Sequence, residues 1–209
     1  NGILRSILRE GVRSTNDIKD PNERLAIETS HPQWLVDRWV ESYGYEETAK
    51  MLRENNIQPV QTVRVNTTKA TVENVLTTLE REGVKAVRSE VMPECVHLQT
   101  GQAARTAAFR HGLITIQDES SMLPANVLNP QPGMKVLDMC AAPGGKTTHM
   151  AEKMQNEGSI LAMDLHPKKL DLIEENTARL GLEIVQTAPV DGRKAASFLP
   201  KESFDAVLV

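Results

Sequence analysis

Cysteine is scarce in this sequence of 209 residues, which contains only Cys95 and Cys140. Two cysteines cannot build a disulfide framework or a cluster of thiolate ligands around a metal ion. The sequence therefore predicts no metal centre, and a reducing cytoplasm is the natural interpretation of so few cysteines.

Long apolar runs and an excess of positive charge are missing as well. No apolar run approaches the roughly 20 residues that a membrane helix needs, so we expect no membrane partner. The chain carries 24 Lys and Arg against 28 Asp and Glu, a formal net charge of −4. No basic block indicates a nucleic-acid partner, but the overall charge does not exclude a local basic patch.

The first region, residues 1 to about 58, has helical periodicity. Helices are predicted over 31–44 and 45–56. Both tryptophans, Trp34 and Trp39, lie in the first of these helices, and their spacing predicts that they anchor helix packing. Apolar residues also recur at helical spacing near the start of the chain, at Ile3, Leu4, Ile7, Leu8 and Val12.

The second region, residues 59 to about 115, is predicted to be a small α+β module of strand, helix and strands. RNA-recognition folds share this pattern, but these strands lack the usual aromatic platform. Cys95 is predicted to be a buried thiol. Five basic residues either form an RNA-facing patch or, as we favour, are scattered surface charge: Arg64, Lys69, Arg88, Arg105 and Arg110.

The third region, residues 116–209, alternates apolar strands with helices. This order predicts a parallel sheet of the doubly wound kind, whose strands are buried on both faces. Strands are predicted over 134–140, 158–164, 183–191 and 204–209, with helices from Gly145 to about Gln155 and over 167–181.

The loop that follows the first of these strands looks like a phosphate loop but does not match one. Counting back from Gly145, Lys146 and Thr147 puts Cys140 where the first glycine of a phosphate loop belongs. The dinucleotide pattern fails too, because Cys140 and Ala142 replace its early glycines. A tight loop of small residues before a helix still lets a ligand approach backbone N–H groups closely.

Three aspartates, Asp138, Asp164 and Asp191, close three successive predicted strands. Ligands of open α/β sheets bind at the carboxyl ends of the strands. Asp164 is placed to accept hydrogen bonds from both ribose hydroxyls, and Asp191 could accept from an adenine amino group. Each carboxylate alone could be a turn or a helix cap. Together they favour a nucleoside with few or no phosphates, and hence S-adenosylmethionine over NAD.

Several motifs make a family resemblance specific. "DMCAAPGGKT" resembles the cofactor loop of the Sun/RsmB-type (NusB-fused) ribosomal RNA cytosine-5 methyltransferases. "GLITIQDESSMLPA", "HPQWLVDRW", "RVNTTK" and "PECVHL" are also similar to segments of that family. The resemblance covers nearly the whole chain and implies three parts. A helical segment (1–58) ends a NusB-like domain, an RRM-like α+β domain (59–115) follows, and 116–209 holds part of a Rossmann-like S-adenosylmethionine-dependent methyltransferase sheet.

The resemblance also implies which residues bind the cofactor. Asp164 is expected to bind the ribose, and Asp191 is expected to lie by the adenine. The methionine end is expected to lie against the loop, formed by Cys140, Ala141, Ala142, Pro143, Gly144, Gly145 and Lys146.

The implied reaction is methylation of cytosine carbon 5 in small-subunit (16S) ribosomal RNA. Carbon 5 is a weak nucleophile, so a cysteine thiolate first adds to carbon 6, on a base that is unpaired or flipped out. The family's Thr-Cys nucleophile and its Pro-Cys partner are both expected beyond Val209. No catalytic residue is therefore predicted in this chain, which is expected to be inactive as given. Cys140 remains a loop residue, because nothing supplies the base that a nucleophilic thiol needs.

Two other functions compete with this interpretation. An NAD oxidoreductase would need pyrophosphate-binding glycines, which the loop lacks. A non-catalytic RNA-binding or ribosome-assembly factor with a vestigial nucleotide site stays open, because no nucleophile is visible. We also expect a monomer.

Overall fold

Helices provide the regular structure of the first compact unit, Asn1–Pro59. The structure, a computed structural model, describes residues 2–11 and 14–209, so Val12 of the predicted N-terminal stripe lies outside the described residues. A core that includes Leu25, Val36 and Leu52 joins the last three helices. The helices are α1 (Gly2–Glu10), α2 (Pro21–Thr29), α3 (Gln33–Tyr43) and α4 (Tyr45–Glu54).

The two tryptophans of α3 have different environments. Trp39 packs against the helical core, as predicted, beside the fully buried Val36. Trp34 is 65% exposed, so the prediction that it anchors packing is wrong. At about 100° per residue, Trp34 lies roughly 160° around the helix from Val36 and thus on the opposite face.

The second compact unit, Val60–Val209, contains two sheets. The first sheet is antiparallel with strand order β2-β3-β1-β4, and it confirms the predicted arrangement of strand, helix and strands. Its last strand was not predicted. The elements are β1 (Gln61–Val65), α5 (Val72–Arg81), β2 (Ala86–Arg88), β3 (Cys95–Leu98), α6 (Ala107–Arg110) and β4 (Ile114–Ile116).

Strand β1 is buried on both faces. Val63 and Val65 point to one face and join a core with Val75 and Leu79 of α5. Because side chains alternate along a strand, Arg64 points to the other face, where it is 0% exposed. The polar face of this sheet therefore packs against protein rather than facing solvent at this position.

The second sheet is parallel with strand order β7-β6-β5-β8, which confirms the predicted doubly wound α/β architecture. β6 and β8 flank β5 on opposite sides, so the strand order changes direction at β5. The elements are α7 (Glu119–Leu128), β5 (Lys135–Asp138), α8 (Gly145–Lys153), β6 (Ser159–Asp164), α9 (Pro167–Leu180), β7 (Val185–Pro189) and β8 (Ala206–Leu208).

One face of the parallel sheet is covered by α7, α8 and α9. Val136 and Ile160 of the sheet join Met150 of α8 and Leu180 of α9 in one core. The other face carries Leu137 and Met163, which pack against Ala195 of a short 3₁₀ segment, Gly192–Ser197. The carboxyl ends of the four strands share one edge of the sheet, where open α/β folds bind their ligands.

Candidate functional site

A cavity of about 410 Å³ lies at the carboxyl edge of the parallel sheet. Residues that follow each of the four strands contribute to it, as expected where the strand order reverses. The lining residues are Met139, Cys140, Asp164, Leu165, Asp191, Gly192, Arg193 and Val209.

The predicted cofactor loop, Cys140–Lys146, is fixed to the end of β6. The Ala141 amide donates to the Met163 carbonyl oxygen at 2.8 Å. The Ala142 amide donates to Asp164 Oδ2 at 3.2 Å. Loop and carboxylate therefore hold each other in place, which joins two of the features that the sequence predicted separately.

Two adjacent glycines form the junction between the loop and α8. Gly144 has φ +99°, a conformation that favours glycine, and an added Cβ would lie 3.3 Å from Ile173 atoms of α9. Gly145 begins α8 without a positive φ. The first turn of α8 presents backbone N–H groups on the loop side, so the junction favours electron-rich ligand atoms.

The nine predicted cofactor residues differ in their positions. Cys140, Asp164 and Asp191 line the cavity, and Cys140 is exposed. The other six predicted residues, 141–146, follow Cys140 in the loop but are not among the residues that line the cavity, and they range from buried to exposed. Ala141 and Gly144 are buried, Ala142 and Gly145 are half-buried, and Pro143 and Lys146 are exposed.

The cavity carboxylates already accept internal hydrogen bonds. Asp164 Oδ1 accepts from the His166 amide at 3.1 Å, which complements the bond from the loop to Oδ2. Asp191 accepts from the Arg193 side chain, with Nη2 2.7 Å from Oδ2. These hydrogen bonds from Arg193 lower the pKa of Asp191 to about 2, which keeps it an anion. Neutral donors such as hydroxyl and amino groups suit this pair better than phosphates.

Asp138, the first of the three strand-end aspartates, has a structural role instead. It is 2% exposed and accepts from Thr147 Oγ1 at 2.7 Å. Burial raises the pKa of Asp138 above its usual range, against the opposing effect of the Thr147 hydrogen bond. Asp138 thus ties β5 to α8 and does not line the cavity.

Sequence reasoning missed several of the cavity residues. Met139 and Leu165 directly follow strand ends, and Leu165 is 56% exposed beside Asp164. Gly192 and Arg193 follow Asp191 in the same way. The available signal was their position directly beside predicted strand-end residues, because residues of the same short loop lie at the same edge of the sheet.

The five basic residues considered for an RNA-facing patch do not form one together. Arg64 is fully buried, so it cannot belong to a surface patch. Arg88 pairs with Glu73 on the surface, and Lys69 donates to the carbonyl oxygens of His111 and Arg179. Arg105 and Arg110 are exposed.

Among the described residues, one cluster could supply three metal ligands: Cys95, His97 and Glu119, whose ligand atoms lie within 4.8 Å of one another. Cys95 is fully buried, as predicted. Burial and the neighbouring Glu119 raise the pKa of the Cys95 thiol to about 12. Metals bind the thiolate, so a metal ion at this cluster would have to displace the proton of a buried thiol.

A larger cavity, of about 640 Å³, lies near the C-terminal end of α8 and contains none of the nine predicted residues. His149 and Glu94 line it, and His149 Nε2 lies 2.9 Å from Glu94 Oε1. Burial lowers the pKa of His149 to about 4, and the hydrogen bond from His149 lowers that of Glu94 to about 2. A neutral imidazole therefore donates to a carboxylate here.

Two family models match separate parts of the chain. The 16S rRNA methyltransferase RsmB/F model matches residues 125–209, which include the cavity. The RsmF/B-like ferredoxin-like domain model matches residues 31–105.

Curated relatives match along the whole chain. The probable ribosomal RNA small subunit methyltransferase B of Bacillus subtilis (strain 168) is 47% identical over 209 residues, covering 100% of this chain and 47% of that protein. The ribosomal RNA small subunit methyltransferase B of Salmonella typhi is 34% identical over 210 residues, with the same two shares. The chain thus spans about half the length of the curated relatives it matches.

Solved structures show the same similarity. The crystal structure of PH0851 is 36% identical with a TM-score of 0.86, covering 99% of this chain and 46% of that one. A methyltransferase homolog protein from Pyrococcus horikoshii is 30% identical with a TM-score of 0.79, covering 91% and 62%. NSun6 from Pyrococcus horikoshii, solved with SFG, is 23% identical with a TM-score of 0.76, which supports the fold alone.

Proposed function

Because this chain belongs to the RsmB/F family of 16S rRNA methyltransferases, we propose that it supplies the cofactor site of an enzyme that methylates small-subunit ribosomal RNA. S-adenosylmethionine is the cofactor of this family. One observation carries the proposal: the cavity at the carboxyl ends of the parallel strands is lined by Cys140, Asp164 and Asp191.

The chemistry of the cavity fits S-adenosylmethionine. Asp164 is a carboxylate held at the end of β6, where it can accept from ribose hydroxyls in addition to its loop hydrogen bonds. Asp191 offers acceptor oxygens for the adenine amino group, and Leu165 offers exposed apolar surface for the base. Among the described residues that line the cavity, Arg193 is the only cation, and it is paired with Asp191, so this lining does not favour a triphosphate.

We propose that the loop holds the methionine end. The residues are Cys140, Ala141, Ala142, Pro143, Gly144, Gly145 and Lys146, whose backbone begins at the cavity and ends in the first turn of α8. When bound, S-adenosylmethionine supplies an electrophilic methyl group. The chain's own contribution is to bind and orient that cofactor with preformed backbone and carboxylate groups.

We propose that the methylated atom is carbon 5 of a cytosine, as the loop and the other matching motifs support. The family chemistry requires a cysteine thiolate to add to carbon 6. The present sequence has neither a Thr-Cys nor a Pro-Cys pair, so the nucleophile would come from a segment that follows Val209. We therefore propose that the chain as given binds the cofactor but forms no 5-methylcytosine. We also propose that the whole protein works as a monomer in the cytoplasm.

Calorimetry with S-adenosylmethionine and with ATP tests the cofactor assignment. We expect S-adenosylmethionine to bind the chain and ATP to bind more weakly, because the cavity presents carboxylates. Tighter binding of ATP would refute the assignment.

A methylation assay tests the reaction separately. The chain and a longer form that contains the downstream cysteines are incubated with radiolabelled S-adenosylmethionine and unmodified small-subunit ribosomal RNA. We expect 5-methylcytosine only with the longer form. Label transfer by a chain verified by mass spectrometry to end at Val209 would contradict the proposed nucleophile and would make Cys140 the candidate. Cofactor binding without methylation by the longer form would favour a non-catalytic RNA-binding role.

A further inference from the structure

Arg64 connects the first sheet to one face of α8. Its Nε and Nη2 atoms donate to the two carboxylate oxygens of Glu152, each at 2.8 Å. Nη2 also donates to Thr148 Oγ1 at 3.0 Å. Nη1 donates to the Gly145 carbonyl oxygen at 2.8 Å and to Gln117 Oε1. A guanidinium has five N–H groups, so every donor of this fully buried side chain has an acceptor.

The acceptors on α8 follow the helix period. Gly145, Thr148 and Glu152 are separated by three and four residues, so they lie on one face over two turns. Gly145 is the first residue of α8 and also belongs to the proposed cofactor loop. The guanidinium group therefore contacts the backbone of the proposed cofactor loop directly.

The loop is consequently held from two sides. On the β6 side, the Ala141 and Ala142 amides donate to Met163 and Asp164. On the side of the first sheet, Arg64 binds the Gly145 carbonyl group. A loop that is fixed at both ends before the ligand arrives loses less conformational freedom on binding.

The contact to Gly145 goes beyond what neutralising a buried charge requires. Glu152 is 2% exposed and supplies the negative charge through a bidentate pair. The bond to the Gly145 carbonyl oxygen adds no formal negative charge; it satisfies one N–H of Nη1 and at the same time fixes the junction at which the loop becomes a helix.

We infer that Arg64 is a positioning residue for the cofactor, which acts through the Gly145 carbonyl group and couples the first sheet to the cofactor loop. This inference rests on the proposed function, because it takes the loop to be the binding site of S-adenosylmethionine.

Two variants of the full chain separate positioning from folding. Glu152→Gln weakens the ion pair but leaves the Arg64 contact to Gly145. Arg64→Lys keeps a positive charge for Glu152, but a single ammonium cannot reproduce the planar fork that also reaches Gly145. We expect both variants to be less stable than the parent chain in urea unfolding. In calorimetry with S-adenosylmethionine, we expect at least about tenfold weaker binding for Arg64→Lys and less than about threefold for Glu152→Gln.

Equal losses of affinity in the two variants, or no loss in Arg64→Lys, would overturn the inference. A third variant covers the case in which either single variant fails to fold. Arg64→Met combined with Glu152→Leu replaces the buried pair by apolar side chains, an exchange that proteins often tolerate. It should fold and still bind at least about tenfold more weakly, and parental affinity would again contradict the inference.

Hydrogen exchange provides a readout that needs no ligand. Mass spectrometry of the segment 139–146 should show faster amide exchange in Arg64→Lys and in the double variant, but not in Glu152→Gln. Unchanged protection of this segment in the Arg64 variants would refute the coupling. Failure of the parent chain to bind S-adenosylmethionine would instead refute the proposed function, and the exchange result would still decide whether Arg64 fixes the loop.

Discussion

Replacing Asp164 by alanine is the most informative single change at the proposed cofactor site. The carboxylate would lose two charge-assisted hydrogen bonds to the ribose, worth roughly 1.5–3 kcal/mol each. Asp164 is half-buried, so solvent weakens these bonds, and we expect at least a tenfold rise in Kd, about 1.4 kcal/mol. The same change removes the acceptors of the Ala142 and His166 amides. Losing these two bonds should lower the free energy of unfolding by about 1–2 kcal/mol.

Calorimetry with S-adenosylmethionine and urea unfolding measure these two effects separately. Asp171→Ala is the matched control, because Asp171 is an exposed aspartate of α9 away from the cavity lining. We expect the control to change neither the free energy of binding nor the free energy of unfolding by more than about 0.5 kcal/mol. An unchanged Kd in a folded Asp164→Ala protein would refute the ribose role, even if stability falls as expected.

Two further predictions concern the loop junction and the larger cavity. Gly144→Ala should lower the free energy of unfolding by about 1–2 kcal/mol, because φ is +99° and the new Cβ would press on Ile173. Gly145→Ala should change it by less than about 1 kcal/mol, so equal losses in urea unfolding would contradict this conformational argument. Since burial lowers the pKa of His149 from 6.5 to about 4, the unfolded chain binds the extra proton between these values. As the pH drops from 7 to 4.5, the free energy of unfolding should therefore fall by about 2–3 kcal/mol more in the parent chain than in His149→Gln. If the two proteins lose stability in parallel over this pH range, the neutral imidazole is refuted.

Local patterns were sufficient to predict much of the second compact unit. Alternating strand and helix patterns identified the parallel sheet, and residues at strand ends identified the edge that carries the cavity. Asp164 and Asp191 could be found because their position depends only on where a strand ends. The assignment of cofactor contacts to individual loop residues stays a prediction.

Burial set by distant partners could not be read from local sequence. Arg64 sits on the polar side of an alternating strand, which normally indicates solvent. Its burial depends on Glu152, 88 residues further along the chain, whose carboxylate satisfies the guanidinium. The role of Asp138 was obscured in the same way, because only the structure brings Thr147 against its carboxylate. Trp34 shows the converse, since its apolar character hid its position on the outer face of α3.

The separation between Arg64 and Glu152 also has a consequence for how the chain is made. Ribosomes add about 5–20 residues per second, so Glu152 is synthesised roughly 4–18 seconds after Arg64. The strands of the first sheet are complete at Ile116, before any of α8 exists. During this interval, water must hydrate the guanidinium on the surface of a nascent sheet. The guanidinium gives up that water only when α8 docks and the acceptors on Glu152, Thr148 and Gly145 replace it.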